Sequence, residues 1–360
     1  MRKTLALLLA LVMILTLFAA CGSSQAAPTA TTAPATRTFT DSVGRTVELP
    51  ANITRIAPSG ALAQMFLIAI APDLLCTVAQ RYNDDAVKYV PAYLNDLPEV
   101  GQFYGMDNLN FESIATIKPE VVIDLGEPKN TIKEDMDGIT EKLALPALHI
   151  TADLRGTPEA FRTLGRLLGR EAKGEQLASF CEKILAKTDE LVTLANGDKP
   201  TILYCLGDAG INVLARGSFH SEVLDYIAEN AAVVDAPSSK GSGNEVSLEQ
   251  ISVWNPDVII FAPNSAYADV ATDKTWSELD AIKSGRYAEV PGAPYNWMGS
   301  PPSINRYLGM LWLSYLLYAD DDGSELNALI TEYYKLFYGH TLTATEYDAL
   351  LANARFGGTQ

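Results

Sequence analysis

Apolar and polar positions along the chain fall into one pattern twice. Residues 111–123, from Phe111 to Ile123, recur as residues 248–260, from Leu248 to Ile260: a Glu, an Ile, a Pro, an acid and an apolar triplet stand at one offset of 137 residues (249 − 112, 256 − 119, 258 − 121). In each copy apolar residues three apart read as a short helix, a proline ends it, and the β-branched run after it reads as a fully buried strand. Two such copies one domain length apart predict a duplicated α/β architecture.

The rest of the pattern fits that frame. Residues 39–50 alternate around Val43-Gly44-Arg45 and predict an opening hairpin. Strand signals at 53–57, 74–78 and 147–150 alternate with apolar helical runs at 61–70 and 132–143, which implies a parallel sheet covered on both faces. From Thr157-Pro158-Glu159, a good helix start, the pattern is purely helical. One helix ends at Gly169; a second, 170–195, sets Leu177, Phe180, Cys181, Ile184, Thr188 and Leu191 on one face and is about 40 Å long at ~1.5 Å per residue, enough to bridge two lobes. Gly174 inside it costs about 1 kcal/mol against Ala and permits a bend. Beyond Asn196-Gly197-Asp198 the second half repeats the first: strands at 201–205 and 233–234, a helix at 221–228, the second copy, then helix, turn and strand over 276–291. An aromatic loop at 295–302 leads to an apolar helix, 307–318, too short to cross a bilayer, and terminal helices are expected at 324–338 and 343–354. The expected fold class is α/β, two Rossmann-like lobes with parallel-rich sheets joined by a long α-helix. The segments are 38–156 for the first lobe, 157–196 for the connecting helices and 197–360 for the second lobe.

The N-terminus changes the picture. Arg2 and Lys3 precede an apolar run, 5–17, in the manner of an export signal over 1–20, and Phe18-Ala19-Ala20-Cys21 places small residues before a cysteine. This resembles the lipobox of bacterial lipoproteins, with Phe18 in place of the usual Leu; the resemblance makes Cys21 the lipidated residue and 21–37, rich in Ala, Thr, Pro and Ser, a disordered tether. Stable anchoring needs more than one acyl chain. The formal charge of −17 becomes −19 when Arg2 and Lys3 are removed, 25 basic against 44 acidic residues. An acidic body excludes nucleic acid and repels anionic lipid, so contact with a membrane runs through the anchor. Cys76, Cys181 and Cys205 are an odd count at wide spacing and read as buried packing, neither a disulfide framework nor a zinc site.

In open parallel sheets ligands sit beyond the carboxyl ends of the strands. That rule selects Ser59, Gly60, Tyr82, Tyr104, Glu127 and Lys129 in the first half, and Gly207, Arg216, Phe219, His220, Asn264, Trp297 and Arg306 in the second. Aromatic rings with a few cations suit a flat, negatively charged chelate. Each has a plainer alternative: Tyr82 and Tyr104 as rim tyrosines, His220 as a solvated first-turn residue, and Arg216 and Arg306 as partners of structural acids. Only His149, His220 and His340 are available to hold a bare transition metal, so a metal is expected to arrive already chelated. No Gly-x-Ser-x-Gly, His-Glu-x-x-His, Gly-x-Gly-x-x-Gly or Walker-type loop supports an exported enzyme, the rival class together with an adhesion or signalling module.

With the two repeats, Leu164-Gly165-Arg166-Leu167-Leu168-Gly169 and the stretches 276–291 and 297–317, the chain from Thr38 to about Asp320 resembles solute-binding lipoproteins of ABC importers, of the iron-complex, siderophore, haem and cobalamin type with a rigid interlobe helix. The resemblance implies a monomer outside the cytoplasmic membrane, with no cofactor and no chemistry of its own. Its ligand would be a small metal complex, a ferric siderophore first, with haem, a corrinoid, an oxyanion or a nickel chelate as alternatives, held between the lobes. It also implies that Glu112 and Glu249 pair with arginines of the transporter's membrane subunits; the alternative is that each carboxylate favours its own helix N-terminus.

Overall fold

The computed structural model describes residues 35–320 and 323–358. The expected signal segment, Cys21 and most of the tether lie outside the described residues. Strands β1 (Thr36–Thr40) and β2 (Thr46–Pro50) form the opening hairpin, antiparallel with Phe39 opposite Val47. Thr36 and Arg37, placed in the tether by the sequence, already belong to it, because Arg37 Nη2 donates to the carbonyl of Leu167 at the end of a helix.

The first sheet holds β3 (Ile56–Pro58), β4 (Val121–Gly126) and β5 (Ala147–Thr151), all parallel, in the order β3-β4-β5. Helices α1 (Ala61–Ile70), α2 (Phe111–Ile117) and α3 (Ile132–Leu143) connect and cover it. Next come α4 (Thr157–Leu168) and the 23-residue α5 (Glu171–Thr193). The second sheet contains β6 (Thr201–Leu206), β7 (Asn212–Val213), β8 (Glu229–Asn230), β9 (Asn244–Glu245), β10 (Val258–Phe261) and β11 (Tyr287–Glu289), in the order β11-β10-β6-β7-β9 with β8 also on β6. Its β6, β8, β10 and β11 run parallel, and β7 and β9 are antiparallel additions. Helices α6 (Glu222–Ile227), α7 (Leu248–Trp254) and α8 (Asp280–Lys283) lie between these strands in sequence. The chain continues through the apolar α9 (Arg306–Tyr318), then α10 (Ser324–Tyr333), a wide turn over Tyr334–Tyr338, and α11 (Ala344–Leu350).

The structure gives the duplicated motif a physical meaning. Asn110 and Ser247 cap α2 and α7 by accepting the N–H of Ser113 and Gln250, and each helix ends on a left-handed residue, Lys118 or Asn255, immediately before the proline. The acid after that proline clamps the neighbouring parallel strand. Glu120 Oε2 accepts the N–H groups of Thr54 and Arg55 at 2.6 and 3.1 Å, and Asp257 Oδ2 accepts the N–H and hydroxyl of Thr201, both at 2.8 Å. Every residue of β4 and β10 is buried, as two-sided coverage requires.

Two expected strands are displaced. Residues 74–78 make only single bridges, Leu75 to Ile56 and Val78 to Glu99, after a 3₁₀ turn over Pro72–Leu74. The strand expected at 233–234 forms earlier, at β8, because the Asn230 side chain donates to Leu214 O and accepts the N–H of Ala232, leaving Val233 exposed.

Gly174 does not serve as a bend. It lets α4 and α5 cross: a Cβ there would lie 2.6 Å from Phe161 O and 3.0 Å from the Cα of Gly165. Ala is the better helix former by about 1 kcal/mol, whereas forcing atoms into a filled contact costs about 1–3 kcal/mol. The contact term wins, so Gly174→Ala is expected to lower unfolding free energy in a urea titration; an increase would show that the crossing is looser than described.

Candidate functional site

The carboxyl ends of β4 and β5 open on a cleft whose opposite wall is the segment 217–226. On the first side Gly126 ends β4 at φ +132°, where an added Cβ would press on Leu62, and the chain turns into Glu127 and Lys129; β5 runs on into Asp153, Leu154 and Arg155. On the second side the segment 217–226, with α6, faces them. Together these residues line a cavity of about 530 Å³, within the range of small-molecule sites.

The floor of the cleft is stitched from both sides. Arg306 at the start of α9 is buried and pairs with Glu222, while its Nη2 donates to Ala152 O at 3.2 Å and its Nε to Ser303 O at 3.3 Å. Leu154 receives the Tyr307 hydroxyl on its carbonyl at 2.6 Å, and its backbone N–H acts to lower the Glu222 pKa. Burial raises the Glu222 pKa and lowers that of Arg306, and the attraction between the pair opposes both shifts. The guanidinium lies 4.8 Å from the centre of the Phe219 ring. The anion that Arg306 meets is therefore Glu222.

Most other groups in the cavity wall have partners. Asp225 accepts from Gly217 N, Ser221 Oγ and Asn230 Nδ2; Asp153 accepts Gly156 N at 2.5 Å; Arg155 donates to the Tyr226 hydroxyl at 2.8 Å and covers its ring. Lys129 pairs with Glu127 at 2.9 Å, both about one-third exposed. His220 differs. Its Nδ1 sits 2.8 Å from Gly299 O, which makes it the protonated nitrogen, and among the described residues Nε2 makes no hydrogen bond. The ring is held tightly, since a Cβ on Gly241 would come within 3.1 Å of Cε1. Burial lowers its pKa, with Lys129 and Arg306 adding to the shift and the Gly299 contact and Glu127 opposing it.

Of the residues chosen from sequence, the cavity brings together Glu127 and Phe219, with Lys129 and His220 beside them. Ser59 is buried and bonds to Asp124, which also holds His149 Nδ1 at 2.6 Å. Gly60 precedes α1, where a Cβ would lie 3.2 Å from Gln102. Tyr104 is half-buried, donates to Asp135 at 2.5 Å and carries Lys129 over its ring. Four of the chosen residues are occupied within the protein, and for Tyr82, Arg216 and Arg306 this is the plainer alternative. Trp297 is wholly buried, its indole donating to Ala293 O at 3.3 Å; Tyr82 is buried against Tyr295, their hydroxyls bonded and the Tyr82 pKa pushed up to about 12 by burial. Arg216 is turned to Asn230 O and Glu229, and Arg306 is spent on Glu222. Gly207 and Asn264 occupy left-handed turn positions and do not line this cavity; Asn264 lines a second one, of about 330 Å³, between 83–89 and 289–294. The sequence missed Asp153, Leu154, Arg155 and the α6 face, although the strand-end rule applied to β5 points to the first three. Glu112 and Glu249 are exposed in the first turns of α2 and α7; the backbone N–H of Glu249 and the Ser247 hydroxyl lower the Glu249 pKa.

A sequence model described as periplasmic binding protein matches residues 72–294. The molybdate-binding protein MolA of Haemophilus influenzae is 25% identical over 334 residues, covering 84% of this chain and 91% of its own. The Fe(3+)-citrate-binding protein YfmC of Bacillus subtilis is 24% identical over 213 residues, 58% of this chain and 64% of its own. Among solved structures, an ABC transporter solute binding protein from Sulfurospirillum deleyianum aligns with a TM-score of 0.77 at 29% identity, covering 87% of this chain and 98% of that one.

The lowered pKa gives His220 a definite pH behaviour. The unfolded chain takes up this proton near the ordinary value of 6.5, the folded chain only at lower pH, so stability is unaffected above 6.5 and falls as pH drops through it. An NMR titration of the imidazole should give a midpoint below 6.5, with His220→Gln reducing the slope of stability against pH just below that value. A midpoint at or above 6.5 would contradict the geometry.

Proposed function

The chain belongs to the periplasmic binding protein family, and from that premise we propose that it captures a chelated ferric complex between its two sheets and passes it unaltered to an ABC importer. One observation carries the reading: a neutral imidazole, fixed through Nδ1, offers the free lone pair of Nε2 beside a cavity with two aromatic rings. Such a nitrogen can fill a coordination position that a chelator leaves open on iron, and Phe219 and Tyr226 can lie against a flat ligand. The oxyanion alternative needs N–H donors or cations in excess. Here Arg155, Arg216, Arg306 and Lys129 already have acceptors, and Glu127, Asp153, Glu222 and Asp225 line the wall. In this reading Cys21 carries the lipid that holds the protein at the outer face of the cytoplasmic membrane, and Glu112 and Glu249, one beside each sheet, meet cations on the membrane subunits.

Calorimetric titration with ferric citrate, ferric hydroxamate and catecholate chelates, haem, cobalamin and molybdate tests the proposal. A ferric chelate should bind at one site, His220→Ala should weaken it by about tenfold to a hundredfold, and Trp297→Phe should leave it unchanged. Molybdate as the only binder, or undiminished affinity in His220→Ala, would overturn it.

A further inference from the structure

Residues 324–358 lie beyond the matched region and touch both sheets' surroundings as well as the helix between them. Along α5, Lys187 pairs with Glu325 at 3.0 Å, Lys183 with Glu332 at 2.8 Å, and Lys173 donates to Leu336 O at 2.6 Å. Between these polar contacts Phe337 packs on Phe161 and Phe180 and stacks on Tyr333 at 4.1 Å. The segment is thus fastened along the interlobe rod before it reaches either lobe.

It then grips both. Tyr334 sets its ring against Tyr89 of the first lobe, 5.4 Å between centres, and donates its hydroxyl to Ala293 O of the second. His340 packs on the same Tyr89 at 5.3 Å and bonds Glu346, whose other contacts with Thr343 fix the start of α11. Past that helix, Asn353 exchanges two hydrogen bonds with Glu289, each 2.8 Å, Trp312 donates to Ala354 O, and Arg286 covers Phe356. Beneath this bridge a cavity of about 330 Å³ lies between the segment 83–89, residues 289–294 and the end of α11, beside the direct contact of Tyr82 with Tyr295, so along that side the terminal segment adds a second tie between the lobes.

We propose that residues 324–358 are a latch that sets the opening between the lobes, with Tyr334 tying Tyr89 to Ala293 beside the direct Tyr82–Tyr295 contact. A chain end placed across a cleft limits hinge motion on the side away from the floor stitched by Arg306 and Tyr307. Ligand entry then proceeds through local opening at the edge carrying Glu127 and His220, without rotation of whole lobes.

The test uses the full chain with Cys76→Ser, the remaining described cysteines being buried, and nitroxide labels on cysteines placed at the exposed positions Glu134 and Ser242. Pulsed electron-electron measurements should give one narrow distance in the otherwise unaltered protein. Tyr334→Phe keeps the ring and removes the hydrogen bond, and should raise the population of a longer distance about fivefold. Asn353→Ala should do the same, and both should accelerate amide exchange in residues 83–94. His340→Ala, at a half-exposed position, is a third variant that need not disturb folding. A distribution equally broad without these substitutions, or unchanged in all three folded variants, would overturn the latch.

Discussion

Everything about this molecule depends on holding the ends of β4 and β5 opposite the segment 217–226 and α6. The close crossing of α4 and α5 supplies the first constraint: with Phe161 O and Gly165 against Gly174, the two helices cannot be closer, and a side chain at the crossing would part them. The second is the stitched floor, where Arg306, Glu222 and Tyr307 bind α6 and α9 to the loop after β5. Removing Glu222 would leave the buried Arg306 guanidinium without its acid, a loss of about 3–5 kcal/mol in a buried pair, whereas the Glu222 carboxylate keeps some solvent, with 28% of its side chain exposed. The pair therefore fixes geometry more than it adds stability.

The same pairing decides the electrostatics of the cleft. The cations that the sequence offers to an anion are taken up by the protein, and the cavity is faced by the Glu127, Asp153, Glu222 and Asp225 carboxylates and the Phe219 and Tyr226 rings, with His220 and Lys129 beside it. On the proposed reading, such a site selects its ligand by shape and by one coordinating nitrogen rather than by net charge. That is the chemical ground for preferring a metal complex to a free oxyanion.

The repeat, the alternation of strands and helices and the long connecting helix were legible because each is a local periodicity. The two-lobed α/β fold followed from them, and the family relation agrees. Side-chain roles were legible only where the partner is near in sequence. Trp297 stands in a Pro-rich loop that looks exposed, but the packing of α9 and the terminal helices around it is a long-range matter. Arg306 signalled correctly that it needs an anion, yet Glu222 is 84 positions away and carries no mark that identifies it. Gly174 looked like a weak point in a helix because its reason, Gly165, lies on another one.

The central claim, that iron is carried in this cleft with His220 as a ligand, is tested most directly by crystals grown with the bound ferric chelate and measured at the iron absorption edge. The account predicts one anomalous peak within bonding distance of His220 Nε2, between the two sheets. A peak only elsewhere, or an ordered chelate in the cleft with its iron away from His220, would contradict it.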